Sequence, residues 1–103
     1  LKGKYDSMVT IYFDNCWELM NEIKTALDIN DVQGLIRPAH SLKSSSKQMG
    51  AVALSELAKN LEISAKNQMN GIVIFNKNNL SNLYKEAEQV LIDTKQALKK
   101  KAS

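Results

Sequence analysis

Apolar residues recur every three or four positions along most of this chain, which is the period of a helix with one buried face. Over residues 5–28 the stripe is Tyr5, Val9, Tyr12, Cys16, Leu19, Ile23 and Ala26, flanked by Met8, Phe13, Met20 and Leu27. Over 32–49 it runs through Val32, Leu35, Ala39, Leu42, Ser46 and Met49, and over 51–69 through Leu54, Leu57, Ala58, Leu61 and Ala65, with Gln68 or Met69 at its end. A last helix, over 75–98 and starting somewhere between Val73 and Leu80, carries Leu80, Leu83, Ala87, Val90, Thr94 and Ala97, with Tyr84, Leu91 and Leu98 beside them.

The breaks between stripes hold the residues that end and start helices. Asp28-Ile29-Asn30-Asp31 interrupts the first, and Asp31 is suited to cap the second, its carboxylate lying at the positive end of the helix dipole. Gly50 is placed to close the second helix at the position after its C-cap, and Asn70-Gly71 closes the third. Pro38 falls inside the second helix, where it removes its own amide donor and crowds the carbonyl of Gly34. A bend or loosened turn is expected there, and the alternative is that one helix ends at Pro38 and another starts at His40. Ile72-Val73-Ile74-Phe75 has the composition of a short strand, but no partner strand is visible, so a packed loop or the entry of the last helix is expected. Four helices with short connections predict an all-α, antiparallel up-down-up-down four-helix bundle.

Composition narrows what such a bundle can do. With 103 residues there is room for one domain and one core. Hydrophobic residues make up 44% and charged residues 24%, with four glycines and one proline, which disfavours an all-β chain. The net charge of +3 draws on Lys99, Lys100 and Lys101 at the extreme end, where they suit the helix dipole and are expected to fray, so a nucleic-acid face is not predicted. A single cysteine, Cys16, rules out an intramolecular disulfide, fits a reducing compartment and, with one histidine, argues against a His/Cys zinc site. Cys16 lies on the stripe, where an inert core thiol is the expectation. No apolar run approaches the ~20 residues of a membrane span, and LKGKYDSM lacks the apolar core of a signal peptide, so no direct membrane contact is expected. The start at Leu1 suggests a piece cut from a longer polypeptide.

The candidate chemistry lies in the second helix, in the stretch RPAHSLKSSSKQMG. On a helical wheel Lys43, Ser44 and Lys47 fall within about 60° of His40, the only histidine, while Leu35, Ala39, Leu42 and Met49 gather on another side. With the stripe turned inward, His40 faces out. An exposed imidazole is substantially neutral at cellular pH, since its class titrates near ~6.5, and its free nitrogen can attack phosphorus. A cation one turn away, Lys43, with Lys47 further along, is placed to stabilise the charge that arrives. No GxxxxGK[ST], GxGxxG or kinase-like aspartate set is present, so ATP binding and self-phosphorylation are not expected.

The string AHSLKSSSKQMGA followed by ALSELAKNLE resembles the signature of the histidine-phosphotransfer (HPt) domain, in which a pattern like AHxLKGxxxxxGA leads into a leucine-spaced helix ending in Leu-Glu. Ala39, His40, Leu42, Lys43, Gly50, Ala51, Leu54, Leu57, Leu61 and Glu62 carry the match. The resemblance implies that His40 is the phosphorylated nucleophile, Lys43 its charge partner and Gly50 the terminus of the active helix. It also implies that Glu62 accepts a hydrogen bond from the ring nitrogen that is not phosphorylated, fixing the tautomer and aiming Nε2 outward. The family's usual glycine is replaced by Ser44, still a small residue, whose hydroxyl can meet either a phosphoryl group or a helix carbonyl.

The function implied is a phosphorelay intermediate, taking a phosphoryl group on His40 from the phospho-aspartate of a response-regulator receiver domain and passing it to another. Docking is expected around Ile36, Ser44, Lys47 and Gln48. No cofactor is expected in this domain, and Mg2+ belongs to the partner receiver. The chain is expected to be cytoplasmic and monomeric when isolated, and to be either the C-terminal module of a hybrid sensor histidine kinase, tethered where that parent lies in a membrane, or a trimmed stand-alone carrier. The rival is a helical adaptor that binds signalling domains without transferring phosphate.

Overall fold

Each stripe becomes one helix: α1 is Gly3–Asp28, α2 Val32–Gln48, α3 Val52–Met69 and α4 Lys77–Ala102. The computed structural model describes residues 3–71 and 76–102, with side chains over 7–71 and 76–97. The expected packed loop at Ile72 to Phe75, and the side chains of Tyr5 and Leu98, lie outside the described residues. The described residues are helices and connections with no strand, and α1 packs on α2 and α4 while α3 packs on α2 and α4. Short connections force sequential neighbours to run antiparallel, so this is the four-helix bundle that the spacing predicts. Among the described residues no helix is long and apolar enough to cross a membrane.

The helix ends follow from local chemistry. The Asp31 carboxylate accepts from the backbone N–H of Gly34 at 2.9 Å, satisfying a donor that the first turn of α2 leaves open. Gly34 makes room for this cap, because a Cβ there would collide with the Asp31 carboxylate. At the other end Gly50 turns into the left-handed region, with φ +78°, and the N–H of Ala51 bonds back to the carbonyl of Ser46 at 2.8 Å. Asn76 starts α4: its side chain accepts from the N–H of Asn79, and its own N–H donates to Gln68 Oε1 at 2.9 Å, tying α4 to the end of α3.

The core is built from the stripes. Met20, Ile23, Leu35, Leu42, Leu54, Leu61, Leu80 and Leu91 are at most 2% exposed, and burying each such side chain contributes about 1.5–3 kcal/mol. Leu35, Pro38, Ala39 and Leu42 anchor one face of α2, which leaves the opposite face, with His40, in solvent. Pro38 lies buried within an unbroken α2, so the alternative of two separate helices is excluded. Ser46 is fully buried, and its hydroxyl pairs with that of Tyr12 at 2.8 Å, pinning the end of α2 to α1.

Some expectations need correction. Met49 is 40% exposed, because α2 ends at Gln48 and Met49 has left the helical face. At the end of the α3 stripe Gln68 is the half-buried residue, and Met69 is 48% exposed. Thr94 and Ala97 are exposed and Met8 is 56% exposed, because α1 and α4, with 26 residues each, outrun the 17 and 18 residues of α2 and α3 that cover them. The backbone of α4 is helical through Lys99, Lys100 and Lys101 to Ala102.

Candidate functional site

His40 sits in the ninth position of the 17-residue α2, on the face turned away from Leu35 and Leu42, and its side chain is 57% exposed. Across the α2–α3 contact, Glu62 of α3 is only 4% exposed. One of its oxygens, Oε2, lies 2.8 Å from His40 Nδ1, and the other, Oε1, accepts from Lys43 Nζ at 2.8 Å. Lys66, one turn further along α3, also reaches Oε2, at 3.2 Å. Ser55 Oγ donates to the backbone carbonyl of Lys43 at 3.1 Å and fixes the same two helices against each other.

This clamp sets the charge of the carboxylate and, through it, the tautomer of the ring. Burial pushes the Glu62 carboxyl up, but hydrogen bonds from Lys43, His40 and Lys66 outweigh it and bring the group down to about 2, so it is ionised at any physiological pH. An ionised carboxylate only accepts, so the proton of the neutral imidazole must sit on Nδ1. The lone pair is then on Nε2, at the opposite edge of the ring. A neutral histidine held this way keeps its Nε2 lone pair on the edge of the ring away from Glu62.

Two hollows flank the ring. One, of about 480 Å³, is lined by His40, Lys43, Ser44, Lys47, Val52, Ser55, Glu56 and Lys59. The other, of about 580 Å³, is bounded by Ile36, Arg37, His40, Glu62, Lys66 and Met69. His40 therefore stands between a hollow rich in ammonium groups and one lined by polar and charged residues with Ile36 and Met69 among them. Val52 is 70% and Met69 48% exposed, so both flanks offer apolar surface beside the cations.

Of the residues singled out from sequence, His40, Lys43 and Glu62 are joined directly, and Ser44 and Lys47 line the first hollow with His40. Ile36 borders the second hollow, whereas Gln48 is exposed at the end of α2 and lines neither. Lys43 is committed to Glu62 in this state instead of standing free beside the ring. Cys16 is buried, and its thiol is pushed up by burial, which makes it a poor nucleophile. Sequence reasoning does not pick out Lys66, Lys59 or Ser55. The spacing of Glu62 and Lys66, four apart with the acid first, is a readable signal for the first of them. Among the described residues no group of three or more His, Cys, Asp or Glu side chains is placed to hold a metal ion.

A family model described as Hpt domain matches residues 7–101. No curated protein and no solved structure matches the chain.

Proposed function

The chain belongs to the Hpt domain family, whose members carry out phosphotransfer in two-component signalling and interact in general with receiver domains, and from that premise we propose that His40 is the phosphoryl carrier. The observation that carries the reading is the 2.8 Å contact between His40 Nδ1 and the nearly buried, ionised Glu62. It supports Nε2 as the attacking atom. As a receiver's phospho-aspartate comes into line, the Nε2 lone pair forms an N–P bond, the acyl P–O bond breaks, and the aspartate leaves as a carboxylate. The Nδ1 proton stays in place, so the ring becomes cationic as it is phosphorylated, and the Glu62 carboxylate opposes that developing charge.

Such a transfer depends on alignment and charge neutralisation. The helix supplies the first, because Leu35 and Leu42 hold the face of α2 in the core while His40 projects from it. Lys43 supplies the second. Ile36, Ser44 and Lys47, beside Val52 and Met69, give a mixed apolar and cationic docking face, and Gln48 extends it at the end of α2. A second receiver removes the phosphoryl group by the reverse chemistry. Mg2+ belongs to the receiver in this reading, and the ionisable groups of this chain act without it. Cytoplasmic placement, a monomeric isolated domain and membership of a hybrid sensor histidine kinase are further parts of the proposal.

The test is incubation with a phosphorylated receiver domain. Acid-labile, alkali-stable phosphate on the wild type and none on His40→Gln is the expected result. Equal labelling of both proteins, or no labelling of either by a competent donor, would favour the non-catalytic adaptor.

A further inference from the structure

The carboxylate behind the nucleophile holds one cation more than its charge requires. Glu62 Oε1 takes Lys43 Nζ at 2.8 Å, while Oε2 is shared between His40 Nδ1 at 2.8 Å and Lys66 Nζ at 3.2 Å. Either ammonium group alone would neutralise it. The two approach from different sides, since Lys43 lines the cation-rich hollow with Ser44 and Lys47, whereas Lys66 lines the hollow with Ile36 and Met69. Resting on the phosphocarrier reading, we infer that Lys66 is a positioning residue that holds Glu62 in place when Lys43 leaves it for the incoming phosphoryl group.

The argument is one of competition for a charge. Lys43 is tied to Glu62 before transfer, so it must release Oε1 to neutralise phosphoryl oxygens at Nε2. Leaving a nearly buried carboxylate with no cation is costly, because its desolvation is then uncompensated. Lys66 removes that obstacle. It lies on α3 itself, four residues from Glu62, and does not have to cross between helices to stay on Oε2. Throughout the exchange the Nδ1 proton remains on the ring. The N–P bond forms as the acyl P–O bond breaks, and the cationic ring replaces Lys43 as the second positive neighbour of Glu62. The charge around the carboxylate is thus the same before and after transfer.

Single-turnover transfer from a receiver domain loaded with acetyl phosphate and Mg2+ tests this, with limiting rate and apparent KM separated. Lys66→Met should lower the limiting rate roughly tenfold with KM unchanged, and Lys66→Arg should restore most of it. Lys66→Gln, which keeps much of the length of the side chain without its charge, should behave as Lys66→Met. In a Lys43→Met background Lys66 is the only ammonium group left on Glu62, so adding Lys66→Met should lower the rate by at least as large a factor as it does alone. A wild-type rate in Lys66→Met overturns the inference. So does a change of less than about twofold on adding Lys66→Met in the Lys43→Met background, where Lys66 would be the sole cation on Glu62, or a lowered melting temperature that accounts for the rate without rescue by arginine. A wild-type domain that accepts nothing from a competent donor fails earlier and overturns the phosphocarrier reading itself.

Discussion

Glu62 Oε2 lies 2.8 Å from His40 Nδ1, and the carboxylate that makes this contact belongs to a residue only 4% exposed. The contact joins α2 to α3 and decides which ring nitrogen is free. Glu62→Ala should lower the limiting rate of phosphotransfer by about 10–100-fold, the usual cost of losing a partner that orients a reactive group. Glu62→Gln should lose less, because its amide oxygen still accepts from Nδ1 although it no longer opposes a cationic ring. Rapid-quench transfer assays on the two variants check the order.

The same carboxyl makes stability depend on acid. Its value in the folded protein is about 2 against an ordinary 4.5, so the unfolded chain binds the proton first as pH falls. The stability that ionised Glu62 supplies is therefore complete above about 4.5 and is lost as pH falls through about 2. Urea midpoints measured across that interval should fall more steeply for the wild type than for Glu62→Gln.

At the start of α2, the Asp31 cap and Gly34 depend on each other. Asp31→Ala should cost about 1 kcal/mol, the usual worth of a side-chain cap. Gly34→Ala should be close to neutral in the wild type, because the gain in helix propensity, about 1 kcal/mol, is offset by displacement of the cap. In the Asp31→Ala background the same substitution should stabilise by about 1 kcal/mol, since nothing is left to displace. A thermal-melting cycle on the four proteins measures the coupling.

Tyr12 and Ser46 form a buried pair of hydroxyls 2.8 Å apart. Ser46→Ala leaves the Tyr12 hydroxyl short of a partner and should cost about 1–3 kcal/mol, whereas Tyr12→Phe with Ser46→Ala together should recover much of it. Denaturant unfolding of the single and double variants is the measurement. Since this pair bridges α1 and α2 and takes no part in the clamp on Glu62, transfer rates of the folded variants should stay near that of the wild type.

The bundle was legible because its signals are periodic and local. The stripes of Leu35, Ala39 and Leu42 and of Leu54, Leu57, Ala58 and Leu61 are written at helical spacing, and the capping role of Asp31 and the left-handed turn at Gly50 follow from residue type. What depended on helix length was not legible: Thr94, Ala97 and Met8 fit the stripes, yet they lie where α1 and α4 outrun the inner pair. For the site, His40 and its cationic neighbours could be placed on one face of a helix from spacing alone. Glu62 came only through the resemblance, since nothing in the spacing of two separate helices says that residues 40 and 62 meet. The commitment of Lys43 to Glu62 is a property of how α2 and α3 pack, which periodicity does not encode, whereas Lys66 meets the same carboxylate within α3 at a spacing that could be read.

The central claim is that His40 takes a phosphoryl group on Nε2 because Glu62 occupies Nδ1. Phosphorus NMR of the phosphorylated domain tests it most directly, because the two phosphohistidine isomers are distinguishable. The account predicts a signal from Nε2-phosphohistidine that is absent in His40→Gln. A signal from the Nδ1 isomer, or one that survives in His40→Gln, would contradict it.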